Sequence, residues 1–187
     1  MGVPVTGLLD TTPFPPFDVE GDTSTTNTYI IGPTVELRLP RNLSVEVDAL
    51  FRHYRYQWHF FLIGNGNQTS ATGNAWEIPF LVKYSLTRRF LKPYVDGGAA
   101  LDFVQGLSAE VDHYDILSST TIRTSSPTDL VHRVAPGVVI GGGVDVRARF
   151  LRLSPEIRYT RWASQHFVNY YTDTNKNQVE FLLGIAF

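Results

Sequence analysis

The chain has 187 residues, no cysteine and a formal net charge of -2 at pH 7. Its length fits a single domain spanning residues 1–187. The near-neutral charge gives no indication of a nucleic-acid partner. The lack of cysteine excludes disulfides, thiolate metal sites and cysteine nucleophiles. No apolar run approaches the roughly 20 residues of a transmembrane helix.

Apolar and polar residues alternate with a period of two in almost every segment between turn clusters, which predicts β-strands. The predicted strands lie, in chain order, around residues 2–9, 29–39, 43–54, 76–86, 94–103, 133–147, 151–159 and 179–187. Most of these patterns persist for about ten residues, the length that a tilted strand needs to cross a bilayer core. The first strand is the weakest, because it is short and contains Pro4.

The connections between these strands alternate in length. Short links are predicted at 40–42, 87–92 and 148–150, and long polar loops at 10–27, 64–74, 105–130 and 163–178. An up-and-down outer-membrane barrel shows this alternation, with short periplasmic turns and longer extracellular loops. Four long loops imply four hairpins. The sequence therefore predicts an all-β fold, an eight-stranded antiparallel up-and-down transmembrane β-barrel with both termini in the periplasm.

One face of the predicted strands carries charges of both signs among glycine, serine and threonine. The charged residues predicted for this face include Glu36, Arg38, Glu46, Asp48, Arg52, Glu77, Lys83, Asp96, Asp102, Arg147, Glu156, Arg158 and Glu180. An eight-stranded barrel is just wide enough inside for side chains, so mixed charges predict an interior network of ion pairs with the apolar face turned to lipid. The alternative is a soluble lipocalin-like barrel, in which the apolar face lines a ligand cavity.

Aromatic residues fall near the predicted strand ends. Trp76 and Trp162 lie on the long-loop side, and Tyr84 and Phe150 on the short-turn side. Two aromatic girdles at the membrane interfaces are typical of an outer-membrane barrel.

Three stretches carry a family resemblance, namely residues 76–84 (WEIPFLVKY), 92–98 (KPYVDGG) and 153–162 (LSPEIRYTRW). With the strand pattern around them, they resemble the OmpA-like superfamily of small outer-membrane β-barrels, especially its barrel-only members. The last strand is also similar to the C-terminal signal that the barrel assembly machinery reads, a terminal aromatic residue preceded by alternating apolar residues. The residues that match this signal are Val179, Phe181, Leu183, Ile185 and Phe187.

The resemblance implies an integral protein of the outer membrane of a Gram-negative bacterium, in contact with lipid and lipopolysaccharide. We expect a non-enzymatic scaffold or adhesion barrel with no catalytic residues, metal or cofactor. Its loops 105–130 and 163–178 are the segments expected to contact an extracellular protein or surface ligand.

The alternative within the same architecture is a lipid A-modifying enzyme, which needs a serine near a histidine and an acid. The nearest such cluster is Ser164, His166 and Asp173. His113, with Asp112 and Asp115, is the nearest candidate for binding a cation, although an acidic loop is usually just solvated.

Residues 1–5 show neither a basic nor an apolar leader segment. For an outer-membrane protein, we therefore expect an export signal and the beginning of the first strand to precede Met1.

Overall fold

The structure is a computed structural model that describes residues 1–6, 9–11, 23–24, 29–62, 65–87, 91–115, 118–124, 130–148, 150–166 and 172–186. Every helix or strand in these ranges is a β-strand, as the period of two predicts. The strands are β1 (Gly2–Pro4), β2 (Leu9–Thr11), β3 (Thr23–Ser24), β4 (Thr34–Arg38), β5 (Leu43–Asp48), β6 (Leu50–Leu62), β7 (Asn65–Ser85), β8 (Leu91–Asp115), β9 (Ser118–Thr124), β10 (Val134–Ala148), β11 (Leu151–Trp162), β12 (Thr172–Thr174) and β13 (Asn177–Ala186).

Within the described ranges, no helix is long and apolar enough to cross a membrane.

Antiparallel pairing joins most of the strands into one sheet, whose main path runs β1–β13–β11–β10–β8–β7–β5–β4. Off this path, β6 pairs with β7, β9 with β8 and β3 with β6, while β12 and β2 form a separate pair. Neighbours on the path mostly follow each other in sequence, as in an up-and-down sheet. The exception is β1 beside β13, which joins the two ends of the chain through the pairs Gly2–Leu182 and Pro4–Glu180.

At the two ends of the main path, the segment that precedes β4 approaches β1 at one point. Gly2 and Ile30 exchange two backbone hydrogen bonds, with N–O distances of 2.7 and 2.8 Å, but they form an isolated pair outside a continuous ladder. In the described part of the chain the sheet is therefore not closed. The closed, eight-stranded barrel stays a prediction.

The short connections lie together at one end of the sheet, which we call the turn end; the opposite end is the loop end. At the link between β4 and β5, Arg41 and Asn42 both adopt a φ of +64°. Asparagine tolerates this left-handed conformation better than most residues, so the second position suits a tight reversal.

Two predicted long loops consist largely of strands, so these predictions are wrong. The β6–β7 ladder runs from Leu50–Glu77 to Leu62–Asn65 and includes most of 64–74. β8 continues to Asp115 and pairs with β9, which together occupy much of 105–130. Polar side chains mark these segments as suited to water, but their backbone N–H and C=O groups still pair between adjacent strands. We call these paired segments, residues 54–62 with 65–74 and residues 105–115 with 118–124, the loop-end extension.

A bulge lies where the loop-end extension begins. Thr72 pairs with Ser108 and Asn74 with Gln105, so β8 contains one residue more than β7 at this point. Gly106 lies in the bulge with a φ of +60°, which glycine adopts without steric cost. A bulge bends its strand and increases the local twist.

The two faces of the main sheet have opposite composition. The charged face is enclosed, whereas the apolar face is exposed. Exposed apolar residues include Val35, Val45, Phe80, Val82, Val95, Val138, Ile140, Ile157, Phe181 and Ile185. This arrangement is the reverse of the soluble lipocalin-like alternative, which requires an apolar interior.

The aromatic residues at the strand ends do not all share one face. Trp76 and Phe150 are exposed, as interfacial residues would be. Trp162 is instead buried on the enclosed face, where it packs in a cluster with Leu81 and Val139, so its predicted place in a girdle is wrong. The reason is parity: Trp162 stands an even number of residues after the enclosed Arg158 and therefore shares its face.

Gly98 provides a test of the strand packing. A Cβ atom at Gly98 would overlap the carbonyl oxygen of Phe80 on β7, whereas a Cβ at Gly97 meets nothing closer than the Val139 carbonyl oxygen at 3.5 Å. We expect Gly98→Ala to lower the free energy of unfolding by about 1–3 kcal/mol, the usual cost of overpacking, and Gly97→Ala to change it little. Urea titration in detergent micelles, read from the different gel mobilities of folded and heated protein, measures both variants. Equal midpoints would contradict the close approach of β7 and β8.

Candidate functional site

The enclosed face concentrates charged side chains. Ten of the thirteen charged residues that the sequence places on this face are buried, and they are Glu46, Asp48, Arg52, Glu77, Lys83, Asp96, Asp102, Glu156, Arg158 and Glu180. Residues two apart on a strand point to the same face, which explains the pairs 46 and 48 on β5 and 156 and 158 on β11. A buried charge is costly unless it is paired, so the partners of these residues decide what the face can do.

The other three residues lie near the turn end. Glu36 is partly buried, whereas Arg38 and Arg147 are exposed, because they stand at the last and the second-last residue of their strands. All three line a cavity of about 1060 Å³. Arg38 and Arg147 are therefore residues of the cavity rim rather than of the buried network.

Arg158 is the centre of the first cluster of ion pairs. Its Nε donates to Glu156 Oε1 at 2.7 Å, its Nη1 donates to Asp48 Oδ2 at 2.9 Å, and its Nη2 lies 3.6 Å from Glu46 Oε1. Glu156 is on the same strand, but the other two acids are on β5, four strands away along the sheet path. This arginine therefore connects two walls that share no backbone hydrogen bonds.

Lys83 and Tyr94 complete this cluster. Lys83 Nζ donates to Glu46 Oε2 at 2.5 Å and lies 4.1 Å from the centroid of the Tyr94 ring. The Tyr94 hydroxyl donates to Glu156 Oε2 at 2.9 Å. Together with Arg158, these contacts form a cycle through β5, β7, β8 and β11. A search for charged residues alone misses Tyr94, although the alternation along β8 places its side chain on this face.

Arg52 on β6 is the centre of a second cluster, nearer the loop end. Its Nη2 pairs with Glu77 of β7 and lies 3.5 Å from Glu180 Oε1 of β13, while its Nη1 donates to Gln178 Oε1 at 3.4 Å. Gln178 was predicted to end a long loop, but it is the second residue of β13. This cluster, like the first, connects strands that are not neighbours in the sheet.

A third group lies beside the cavity at the turn end. Arg152 Nη2 is 2.5 Å from Glu36 Oε2, and its Nη1 is 3.8 Å from Asp145 Oδ2. Ser154 donates its hydroxyl to Asp145 Oδ1 at 2.6 Å. Arg152 and Asp145 alternate in phase with the predicted interior charges, so the sequence pattern contains the signal for both.

The geometry around His166 differs from that of a catalytic triad. His166 is buried, with Nε2 at 3.1 Å from Asp102 Oδ2 and Nδ1 at 2.8 Å from the carbonyl oxygen of His132. Both ring nitrogens face acceptors, so the ring has no nitrogen left to take a proton from Ser164. The side chain of Asp173 lies outside the described residues.

The remaining predicted sites lie partly outside the described residues. Among the residues whose side chains are described, no group of three or more could hold a metal ion. The predicted cation site at His113 is only partly covered by this statement, because the side chain of Asp115 lies outside the described residues. On β13, Phe181 and Ile185 are exposed and Val179 and Leu183 partly exposed. Phe187, the terminal residue of the predicted assembly signal, also lies outside the described residues.

Removing Arg158 tests the first cluster. We expect Arg158→Met to lower the free energy of unfolding by about 3–5 kcal/mol, because it leaves Asp48 and Glu156 buried without their cation. Arg147→Met is the matched control: this arginine is exposed, so a change within about 0.5 kcal/mol is expected. Urea unfolding in lipid vesicles, followed by tryptophan fluorescence, measures both. A loss for Arg158→Met no larger than that of the control would show that the cluster does not stabilise the fold.

Comparison with known proteins agrees with this geometry. The family described as outer membrane protein beta-barrel domain has a model that matches residues 1–161. No curated protein matches the chain. The family match covers most of the 187 residues and is consistent with the resemblance to small OmpA-like barrels. An exposed apolar face around enclosed charges is also the arrangement of such barrels. The chain therefore belongs to the outer-membrane protein β-barrel domain family.

Proposed function

We propose that this integral outer-membrane barrel is closed, has eight strands, and acts as a non-enzymatic anchor whose loop end contacts partners outside the cell. The observation that carries the proposal is the placement of the charges: they pair with one another across the interior, while apolar side chains cover the outside. An interior filled in this way holds the strands together, which supports an anchoring role. The specific contacts must then come from the segments beyond the membrane.

Closure is supported by the strand path and by one pair of residues. The main path contains eight strands, and its ends meet where Gly2 and Ile30 exchange hydrogen bonds. In lipid, every backbone donor and acceptor needs a partner, so an open sheet edge in the bilayer core is disfavoured. A closed barrel removes both edges.

A disulfide tests closure. The register of the Gly2–Ile30 pair sets Val3 opposite Tyr29. This position is not hydrogen-bonded, and Cα atoms at such positions are about 4.5 Å apart, within disulfide range. We expect Val3→Cys/Tyr29→Cys to form a disulfide on oxidation, visible as a mobility shift that reductant reverses; the wild-type chain has no cysteine. Val3→Cys/Val35→Cys should form none. Equal oxidation of both pairs, or of neither, would argue against closure at this seam.

The orientation follows from the two ends. We assign the turn end and both termini to the periplasm and the loop end to the outside, because outer-membrane barrels have short periplasmic turns and longer outer segments. The loop-end extension supports this assignment, since its paired strands continue beyond the exposed apolar residues. Alternating apolar residues on β13 support delivery by the barrel assembly machinery. Lipid and lipopolysaccharide are then the surroundings of the apolar face.

A charge on the apolar face tests membrane insertion. Ile140 is 63% exposed at the middle pair of the β10–β8 ladder, and Val131 is 55% exposed before β10 begins. In a bilayer, we expect Ile140→Arg to cost about 2–4 kcal/mol and Val131→Arg far less, because arginine is costly near the membrane midplane and cheap near the interface. Urea unfolding of both variants in vesicles gives the comparison. If the face were turned to water, both substitutions would be nearly neutral.

Contact through the loop end is tested in cells that display the protein. The assay uses a surface to which cells displaying the unchanged protein attach and cells without it do not. Replacing residues 105–124 by a short Gly-Ser turn should abolish this attachment, while the barrel still migrates as a folded species on a gel. Lipid A from the same cells should have an unchanged mass spectrum. A modified lipid A would favour the enzyme, and unchanged attachment would argue against this contact segment.

A further inference from the structure

We infer that His166 is a proton-dependent latch that fastens the connecting segments 130–133 and 163–166 to the enclosed face at the loop end. The ring is 5% exposed, although it belongs to a segment between two strands. It reaches inward to Asp102 of β8, a residue of the lumen. This contact ties the connecting segments to the charged interior.

The two partners of the ring determine how many protons it needs. Nδ1 faces the His132 carbonyl oxygen at 2.8 Å, and a carbonyl only accepts, so this nitrogen must carry a proton. Nε2 faces Asp102 Oδ2 at 3.1 Å, and a hydrogen bond there needs a second proton. The histidine–aspartate pair therefore holds two protons in this geometry. The neutral ring beside an ionised carboxylate has one proton and can satisfy only one of the two acceptors.

The charged side chains near Asp102 are mostly acidic. Asp102 stands directly opposite Glu77 in the β7–β8 ladder, and both interact with Glu180. Arg52 is the cation that these three acids share. Arg158 also interacts with Glu77 and Glu180, but it is already paired with Asp48 and Glu156. Carboxylates therefore outnumber cations around Asp102, and the second proton of the histidine–aspartate pair lowers this excess of negative charge. Among the side chains that the structure describes in and next to the two segments, the other charged or titratable ones are His132, Arg133 and Arg161, and all three are exposed.

The latch holds two segments because they are bonded to each other. The His166 carbonyl oxygen accepts from the backbone N–H groups of Val131 at 2.8 Å and His132 at 3.3 Å. The ring of His132 lies 3.2 Å from the carbonyl oxygen of Gln165. These hydrogen bonds join the two segments into one unit. They stay on the lumen while the pair holds two protons, and the fastening is lost as rising pH removes one of them.

Spin labels measure this fastening, because the chain has no cysteine to interfere. Val131→Cys and Leu101→Cys place one label on the latched unit and one on the outer face of β8, and both positions are exposed. In detergent micelles or nanodiscs, we expect a narrow distance distribution at pH 5 that broadens by pH 9. With His166→Gln, the distribution should be broad at both pH values. With Asp102→Asn, broadening should begin at lower pH.

His132→Gln is the matched control, since His132 touches the same segment but does not reach the lumen. It should keep the pH-dependent transition. Gel mobility confirms that each variant is folded before it is measured. A transition that persists in His166→Gln, or a parent distribution that is the same from pH 5 to pH 9, would overturn the latch.

A second measurement does not depend on movement. In ¹⁵N-labelled protein at pH 5, both ring nitrogens of His166, assigned by comparison with His166→Gln, should show the shifts of protonated nitrogens. A single neutral tautomer at that pH would also overturn the inference. Because neither measurement involves adhesion or lipid A, their failure would leave the proposed function standing.

Discussion

A charge on the enclosed face of this sheet has to find its counter-charge on the same face, because a buried charge is costly unless it is paired. Arg158 meets this requirement with carboxylates of β5 and β11, and Arg52 with carboxylates of β7 and β13. These ion pairs span walls that backbone hydrogen bonds do not connect. The ladders set the order of the strands, and the enclosed charges hold facing walls together.

The charges in the lumen do not balance. Among the described residues, eight carboxylates are buried against three lysine or arginine side chains. Toward the loop end, Arg52 faces three acids, two of which also interact with Arg158, and His166 lies against the third, Asp102. The same physical requirement that pairs the interior therefore gives the connecting segments a reason to be fastened there. The contact between His166 and Asp102 therefore connects a loop segment to the charges of the interior.

The outside of the barrel follows from the inside. When charged residues occupy one side of each strand, alternation leaves Phe80, Val138 and Ile157 on the other, where only lipid can cover them. Above this apolar region the strands continue as the loop-end extension. For the contacts that we propose, the paired backbone there is a firmer platform than an irregular loop, because its hydrogen bonds are already formed before a partner binds.

The amino-acid sequence by itself determined which residues share a face, because a strand turns its side chains alternately to either side. Glu46 with Asp48, and Glu156 with Arg158, could be placed together from this period alone, and so could the exposed apolar positions. The same period places Trp162 on the enclosed face when the alternation is continued from Arg158 to the end of β11. Polar composition does not distinguish a loop from a solvated paired strand, so the loops predicted at 64–74 and 105–130 are largely strand.

Only the tertiary structure decided which of these residues meet. Arg158 contacts Asp48 because β11 and β5 face each other across the lumen, and no local pattern states the curvature that brings them together. The register of β1 with β13, and the approach of Gly2 to Ile30, depend in the same way on residues far apart in the chain. His166 is the clearest case. Its segment has the composition of an ordinary polar connection. Its partner on β8, Asp102, is identified only in the folded structure.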